Sequence, residues 1–369
     1  MAHDYKLLTP GPLTTTKKVK EQMLEDRCTW DNDYKSVTQD IRKRLLDLAG
    51  VEADEYTTVL QQGSGSFVVE SVLQTALSQE DHILILSNGA YGNRMIEMTE
   101  RIGKRVTALR FEYDKVPDFE DVKALVQEDK SITHIAMVHC ETTTGMLNPI
   151  EPLTQIAQSF DLKIIIDAMS SFGGLPIDVA SLDIDYIISS ANKCIQGVPG
   201  FGFVIAKQDT LKTTKGNAHS LVLDLYDQWQ VMEKDEGKWR YTSPTHVVAA
   251  FLKALVELEE EGGIEARHQR YQENNDYLRK HLADIGFTPY IKQAYQSPII
   301  TTFLYPYPEF DFEDFYNQMK AEGFVLYPGK LMDIPSFRIG NIGDLDVEDL
   351  SKLIRNIRQY ILEEEVQHD

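Results

Sequence analysis

Two side chains carry the strongest chemical signal in this sequence. Lys193 follows the apolar run Tyr186–Ser189 and opens a turn that leads to Gly197-Val198-Pro199-Gly200-Phe201-Gly202. A lysine held out of water at such a place binds its proton less tightly and becomes a nucleophilic amine. The plainer alternative is a surface lysine with its stem on apolar neighbours and its ammonium in solvent. One strand earlier, Asp167 ends Ile164-Ile165-Ile166. Parallel α/β sheets bind ligands at strand ends, and a carboxylate there needs a cation or donors to offset its desolvation. Asp is equally an ordinary cap for the following turn. Upstream, Gln62-Gly63-Ser64-Gly65-Ser66 separates a strand from a helix. Small residues let the backbone approach a ligand, and a helix N-terminus suits a phosphate. A dinucleotide site would need a third glycine near Val68 and an acid ending the next strand. The glycine is absent and Asp81 precedes that strand. A plain strand-to-helix turn remains open as well. Taken together, the lysine, the aspartate and the phosphate turn are the parts a pyridoxal-phosphate site requires.

The elements that would position these residues alternate regularly. Thr57–Leu60, His82–Leu86, Val106–Phe111, Thr133–His139, Lys163–Ile166, Tyr186–Ser189 and Phe201–Ile205 are short apolar runs, as strands buried on both faces are. Helical patterns at Phe67–Leu77, Gly92–Ile102, Phe119–Glu128 and Leu153–Phe160 lie between them. This rhythm predicts an α/β fold with a mostly parallel seven-stranded sheet covered by helices. The last strand, flanked by Gly200 and Gly202, is a candidate to run against the others. After Pro244 the pattern changes to helices Thr245–Glu261 and Ile264–Asp284, then Ile299–Leu304, Phe312–Glu322, Ser336–Gly340 and Val347–Glu364. The expected division is a large cofactor-binding domain over 16–260, with 1–15 and 261–369 forming a small α+β domain.

Length and charge narrow the classes. At 369 residues the chain suits about two domains. With 37 Lys+Arg against 58 Asp+Glu the net charge is −21, which repels nucleic acid and anionic membranes. No apolar run approaches the length of a membrane span, and the opening MAHDYKLLTPG lacks an apolar core with a basic flank. Cys28, Cys140 and Cys194 make neither a disulfide framework nor a zinc motif, and the nine histidines show no metal spacing. A cytoplasmic protein without a bound metal is expected.

Several segments, in order, then carry a resemblance. They are Leu8-Thr9-Pro10-Gly11-Pro12, Asn88-Gly89-Ala90-Tyr91-Gly92-Asn93-Arg94, His139-Cys140-Glu141-Thr142-Thr143-Thr144-Gly145, the Asp167 segment, Ala191-Asn192-Lys193-Cys194-Ile195-Gln196-Gly197, Trp239–His246 and Phe337-Arg338-Ile339-Gly340. Through them most of the chain resembles the class V aminotransferase family, fold-type I pyridoxal-phosphate enzymes. More narrowly, it is similar to the 2-aminoethylphosphonate:pyruvate aminotransferases within that family.

The resemblance implies roles. Lys193 would hold pyridoxal 5'-phosphate as a Schiff base and shuttle a proton. Asp167 would face the pyridinium nitrogen, Tyr91 would stack on the ring and Thr142 would bond its hydroxyl. Ser64, Gly65 and Ser66 would hold the phosphate, joined by Thr242 of a partner subunit, so a homodimer with a shared site is implied. Arg338 would bind the carboxylate of pyruvate or alanine with a bidentate fork. An arginine on a solvated strand is the bland alternative. Thr14, Thr15 and Thr16 are hydroxyl donors for the phosphonate end, or a helix-capping run before Lys17. Three rivals remain at this stage. A serine–pyruvate or alanine–glyoxylate type would typically place Gln where this chain has Asn192. A dinucleotide-dependent oxidoreductase would rest on Gly63–Ser66. A non-catalytic member of the family is opposed by the intact lysine. Cys194 reads as a small packed side chain. Cysteine desulfurases need a later cysteine that this chain lacks.

Overall fold

The computed structural model describes residues 5–331 and 333–368, without the side chains of 364–368. The first four residues of the segment read for a leader therefore lie outside the described residues. Seven strands form one sheet: β1 (Tyr56–Gln62), β2 (His82–Ser87), β3 (Arg105–Arg110), β4 (His134–Val138), β5 (Lys163–Asp167), β6 (Tyr186–Ser190) and β7 (Phe201–Lys207). Their spatial order is β1-β7-β6-β5-β4-β2-β3. Every neighbouring pair is parallel except those made by β7, which runs against β1 and β6. The expected α/β sheet is present, with the reversed strand where the flanking glycines suggested it.

Burial explains the strand sequences. Ile83, Ile85, Ile165, Ile166, Ile187 and Ile188 are wholly buried, because helices cover both faces. At one edge β3 is half-exposed and begins and ends with arginine, which discourages pairing with another chain. At the other edge β1 is covered by helices Asn32–Ala49 and Leu225–Lys234, neither of which the sequence pattern predicted. Arg42 Nε donates to Thr58 O at 2.7 Å and Gln228 Nε2 donates to Leu60 O at 3.0 Å, so side chains satisfy the carbonyls of this edge strand. That use of polar side chains is why the first of these helices is hard to read. Thr38 and Arg42 sit on its buried face beside Tyr34, Ile41 and Leu45 and dilute the apolar stripe.

The C-terminal half builds a second layer. Ser336–Gly340 is the centre of an antiparallel sheet between Ile300–Leu304 and Tyr327–Pro328. Lys6–Leu7 pairs with Phe324–Val325, so the start of the chain is stitched to this layer. Phe287, Phe303, Phe315 and Phe337 lead its own hydrophobic cluster. Helix Thr245–Glu261 has the predicted bounds, and a corner at Gly262 and Gly263, both in the left-handed region, turns the chain into helix Gly263–Ala283. Among the described residues no helix is long and apolar enough to cross a membrane.

A third, smaller cluster fills the seam between the two layers. Leu13, Cys140, Cys194, Tyr271, Ile299 and Ile342 belong to it. The turn that carries Lys193 is fastened there. Gln196 N donates to Lys193 O at 2.8 Å and Gly197 N to Ala191 O at 2.9 Å. Helix Gly263–Ala283 then grips the turn: Arg267 Nη1 and the Tyr271 hydroxyl donate to Cys194 O at 2.6 and 3.2 Å. Arg267 is buried, and its charge is met by Glu261 at 2.6 Å. The lysine's backbone is thus held by the seam and by a helix of the second layer.

Candidate active site

Strand ends and three loops enclose a cleft of about 530 Å³. Ser64, Gly65, Ser66, Tyr91, Asp167 and Lys193 all line it. These residues come from four separate stretches of sequence, and the fold brings them to one surface. Thr142 and Arg338 are not among its lining residues; they stand at its Tyr91 end, where Arg338 bonds the Thr142 carbonyl and the Thr142 side chain bonds Tyr91. Thr242 is exposed and is not among the lining residues of its own chain's cleft. Thr14 and Thr15 are buried and also absent from the lining. Thr14 Oγ1 accepts from Leu7 N at 2.8 Å, and Thr16 caps the short helix Lys17–Glu21 by accepting from Val19 N.

Lys193 and Asp167 show what burial does to opposite charges. Lys193 Nζ donates to Pro10 O at 2.9 Å and Gly11 O at 3.3 Å. Gly11 takes a left-handed φ of 110°, and a Cβ there would lie 2.6 Å from Lys193 Cδ, so only glycine leaves room for the stem. Burial lowers the affinity of the amine for its proton, opposed by Tyr91 and more weakly by Asp167. Burial acts on Asp167 in the opposite sense and pushes its carboxyl up to about 6, against the Met169 N–H that Oδ1 accepts at 2.9 Å. His139 supports this strand end: its backbone N donates to Asp167 O at 2.9 Å. Burial holds its ring down to about 4, so it is neutral at pH 7. Cys140 and Cys194 are both pushed up to about 12 by burial, which makes them packed thiols rather than nucleophiles.

The small residues of the phosphate turn are required by contacts. A Cβ on Gly65 would lie 2.6 Å from Met169 Sδ, two residues beyond Asp167. Ser64 is the N-cap of helix Gly65–Ala76, and its side chain makes no capping bond. The first N–H groups of that helix and the Ser64 hydroxyl are therefore available to an anion. Arg94 Nη1 donates to Ser66 Oγ at 3.3 Å and adds positive charge at the same spot. Ser190 Oγ is buried at the cleft and has no hydrogen-bond partner among the described residues. An unsatisfied hydroxyl in a lined cavity is a place for a polar ligand atom.

Three residues given no role from sequence prove central: Glu141, Arg94 and Lys330. Glu141 is wholly buried. Its Oε2 accepts from Tyr91 N at 3.1 Å and Gly92 N at 3.2 Å, while Oε1 accepts from Thr143 N at 3.1 Å and Thr143 Oγ1 at 2.5 Å. A carboxylate thus holds the first turn of helix Ala90–Arg101 and sets the backbone from which Tyr91 projects. Burial raises this carboxyl, and the Thr143 and Gly92 donors pull it back. Lys330 lies 4.0 Å and Arg94 5.1 Å from the Tyr91 ring centroid. Burial would raise the Tyr91 phenol, but Lys193, Lys330, the Thr142 bond and Arg338 outweigh it and bring it below its ordinary value. The Asn88–Arg94 and His139–Gly145 motifs contained the signal for two of the three. Only the fold shows that the two motifs bond each other.

Arg338 is the second anchor of the site. It is buried, with Nε donating to Pro328 O at 3.0 Å and Nη1 to Thr142 O at 2.8 Å. Its guanidinium lies 4.8 Å from the Tyr327 ring centroid. No carboxylate is within ion-pair distance of it among the described residues. A guanidinium has five N–H donors, so these two bonds leave others for an anion.

The Glu141 contacts generate a prediction. Glu141→Ala leaves the Tyr91, Gly92 and Thr143 N–H groups without an acceptor, each worth about 1–3 kcal/mol. Chemical denaturation should show a loss of several kcal/mol. Glu141→Gln should lose less, because one oxygen still accepts. Equal stability of Glu141→Ala and the parent would refute the assignment.

Comparisons with known proteins agree with this geometry. The family described as Aminotransferase class-V matches residues 26–344. A 2-aminoethylphosphonate–pyruvate transaminase of Lysinibacillus sphaericus is 61% identical over 359 residues, covering 97% of this chain and 98% of the relative. A protein of the same name from Bacillus cereus is 55% identical over 350 residues, covering 95% and 96%. Among solved structures, an alanine–glyoxylate aminotransferase from Nostoc superposes with a TM-score of 0.87 at 23% identity over 98% of this chain and 96% of that one. A ureidoglycine–glyoxylate aminotransferase from Bacillus subtilis gives 0.89 at 21% identity, over 98% and 94%. At those identities the structures speak for the fold alone. The cleft with its strand-end lysine and aspartate, the fold and the near-full-length relatives converge: this chain belongs to the class V aminotransferase family, on the fold-type I scaffold.

Proposed function

We propose that the protein is a pyridoxal-phosphate-dependent aminotransferase that moves the amine of 2-aminoethylphosphonate to pyruvate, giving phosphonoacetaldehyde and L-alanine. The names of the near-full-length relatives support the substrate pair. The observation that carries the reading is Arg338, a buried cation without a carboxylate partner among the described residues, joined through Thr142 to the Tyr91 end of the cleft that holds Lys193 and Asp167. An anionic substrate completes the charge balance there, and both proposed substrates are anions.

The residues present fit pyridoxal phosphate. Bound in the cleft, that cofactor supplies an electron sink and carries the amine between the two halves of the reaction. Lys193 supplies an amine that is deprotonated more easily than an ordinary lysine's, and it holds and moves the proton at Nζ. Asp167 offers a negative charge that favours a cationic ring nitrogen. Tyr91 offers a flat face, with Thr142 beside it. Ser64, Gly65 and Ser66 offer hydroxyl and N–H donors for the phosphate, and Ser190 an unsatisfied hydroxyl. Thr14 and Thr15 follow Pro12, which lines the cleft, and a substrate role for them rests on that nearness.

The division into 16–260 and 1–15 with 261–369 is part of this reading, supported by the separate hydrophobic clusters. So is a cytoplasmic homodimer. Phe67 and Tyr241 are 53% and 46% exposed, next to Ser66 and Thr242 respectively. Apolar surface beside two site residues marks a face that a second copy would cover, bringing its Thr242 to the phosphate.

Three measurements check the proposal. Purified protein supplied with pyridoxal phosphate and pyruvate should form alanine from 2-aminoethylphosphonate, and Arg338→Ala should reduce kcat/KM by 100-fold or more. Turnover with serine or another amino acid in place of this donor would overturn the substrate claim. Second, Asp167 in the cofactor-free protein ionises near pH 6, so affinity for the cofactor should fall as pH drops through about 6. The sign follows from linkage: a cationic ring nitrogen favours the ionised carboxylate, and protons compete with it. Asp167→Asn should bind more weakly at pH 8 and show a shallower decline. Matching slopes in the two proteins would exclude Asp167 as the group. Third, mixing Lys193→Ala with Thr242→Ala should restore activity that neither has alone. Failure to complement would place Thr242 outside the partner's site.

A further inference from the structure

Lys330 is a second cation beside Tyr91, which lines the cleft, although neither it nor Arg338 is itself among the lining residues. It follows Tyr327–Pro328, the strand whose Pro328 carbonyl accepts from Arg338 Nε. Gly329 presses against the neighbouring strand, where a Cβ would come 2.2 Å from Ser336 O. That contact fixes the point from which the Lys330 side chain departs. Its Nζ stands 4.0 Å from the Tyr91 ring centroid, and no carboxylate pairs with it among the described residues. Arg338 and Lys330 therefore leave the same hairpin, and both act on the Tyr91 phenol. Glu141, whose charge is felt by both, already has its oxygens engaged by N–H and O–H donors of Tyr91, Gly92 and Thr143.

We propose that Lys330 and Arg338 form a two-cation receptor for the dianionic phosphonate head, and that Lys330 sets the preference for phosphonate over carboxylate at this end. This rests on the reading that 2-aminoethylphosphonate is the amino donor. A planar carboxylate carries one charge and two oxygens, and a single guanidinium fork matches it. A tetrahedral phosphonate carries more charge on three oxygens, more than one fork covers. A lysine ammonium is a compact charge with three rotatable donors and suits the remaining oxygen. Lys330 thus matters to one of the two substrates far more than to the other.

The test uses the holoenzyme and treats the two half-reactions separately. For Lys330→Gln, KM for 2-aminoethylphosphonate should rise tenfold or more with kcat changed less than threefold, while KM for pyruvate stays within twofold. Ethylphosphonate as a competitive inhibitor should weaken tenfold and propionate by less than twofold. Lys330→Arg should recover most of the phosphonate affinity. Retained propionate affinity also demonstrates that the variant folds. Equal losses for phosphonate and carboxylate, or no loss for either, overturn the proposal. A parent enzyme that does not use 2-aminoethylphosphonate at all overturns the underlying reading instead.

Discussion

The structure is organised around a buried positive charge that no carboxylate among the described residues pairs with. Arg338 lies inside the protein with backbone carbonyls and an aromatic ring as its partners. Isolated buried ions cost several kcal/mol, and removing the partner of a buried charge is strongly destabilising. A fold that keeps such a group has to hold it rigidly. The central strand of the second sheet, the Pro328 carbonyl and the Thr142 carbonyl do so from three directions. The surplus cannot be read from the whole chain, whose net charge is −21. Acidic residues outnumber basic ones over the chain, while Arg338, Lys330, Arg94 and Lys193 gather positive charge around Tyr91.

The same burial tunes the two groups deeper in the cleft. Removing water lowers a lysine and raises an aspartate, so Lys193 and Asp167 are each moved toward neutrality by one cause. A ligand with an electrophilic carbon for the amine and a cationic nitrogen for the carboxylate relieves both at once. Their placement follows from the sheet: adjacent parallel strands β5 and β6 end on one side, so a strand-end residue and the turn after the next strand become neighbours. The seam cluster and Arg267 then lock that turn against the second layer. Any relative movement of the two layers is therefore felt at the lysine.

Fold and substrate choice separate cleanly here. Structures at 21–23% identity share the architecture while their names carry different amino donors, alanine in one and ureidoglycine in the other. A scaffold hosts many chemistries, and the distinguishing contacts lie in a few side chains. In this protein three segments converge at Tyr91: the first turn of helix Ala90–Arg101, the Cys140–Leu147 hairpin and the Tyr327–Gly340 hairpin. Glu141 ties the first two together, and Arg338 ties in the third.

Much of this was legible in the linear sequence. Buried parallel strands are nearly continuous apolar runs, so all seven could be located, and Gly200 and Gly202 marked the reversed one. Asp167 and Lys193 were legible because a charged residue at the end of such a run has few structural excuses. Helix Asn32–Ala49 was not read, because it spends buried positions on Thr38 and Arg42 to satisfy the edge strand. Glu141 and Arg94 lay inside singled-out motifs and Lys330 in none, but no role could be given to any of them, since charged residues are common on surfaces and burial is decided by packing. Sequence by itself determined the order of the seven strands of the large sheet and the family, and it singled out Lys193 and Asp167. Only tertiary structure decided which charges lose their water and which remain unpaired, because desolvation and pairing depend on neighbours distant along the chain.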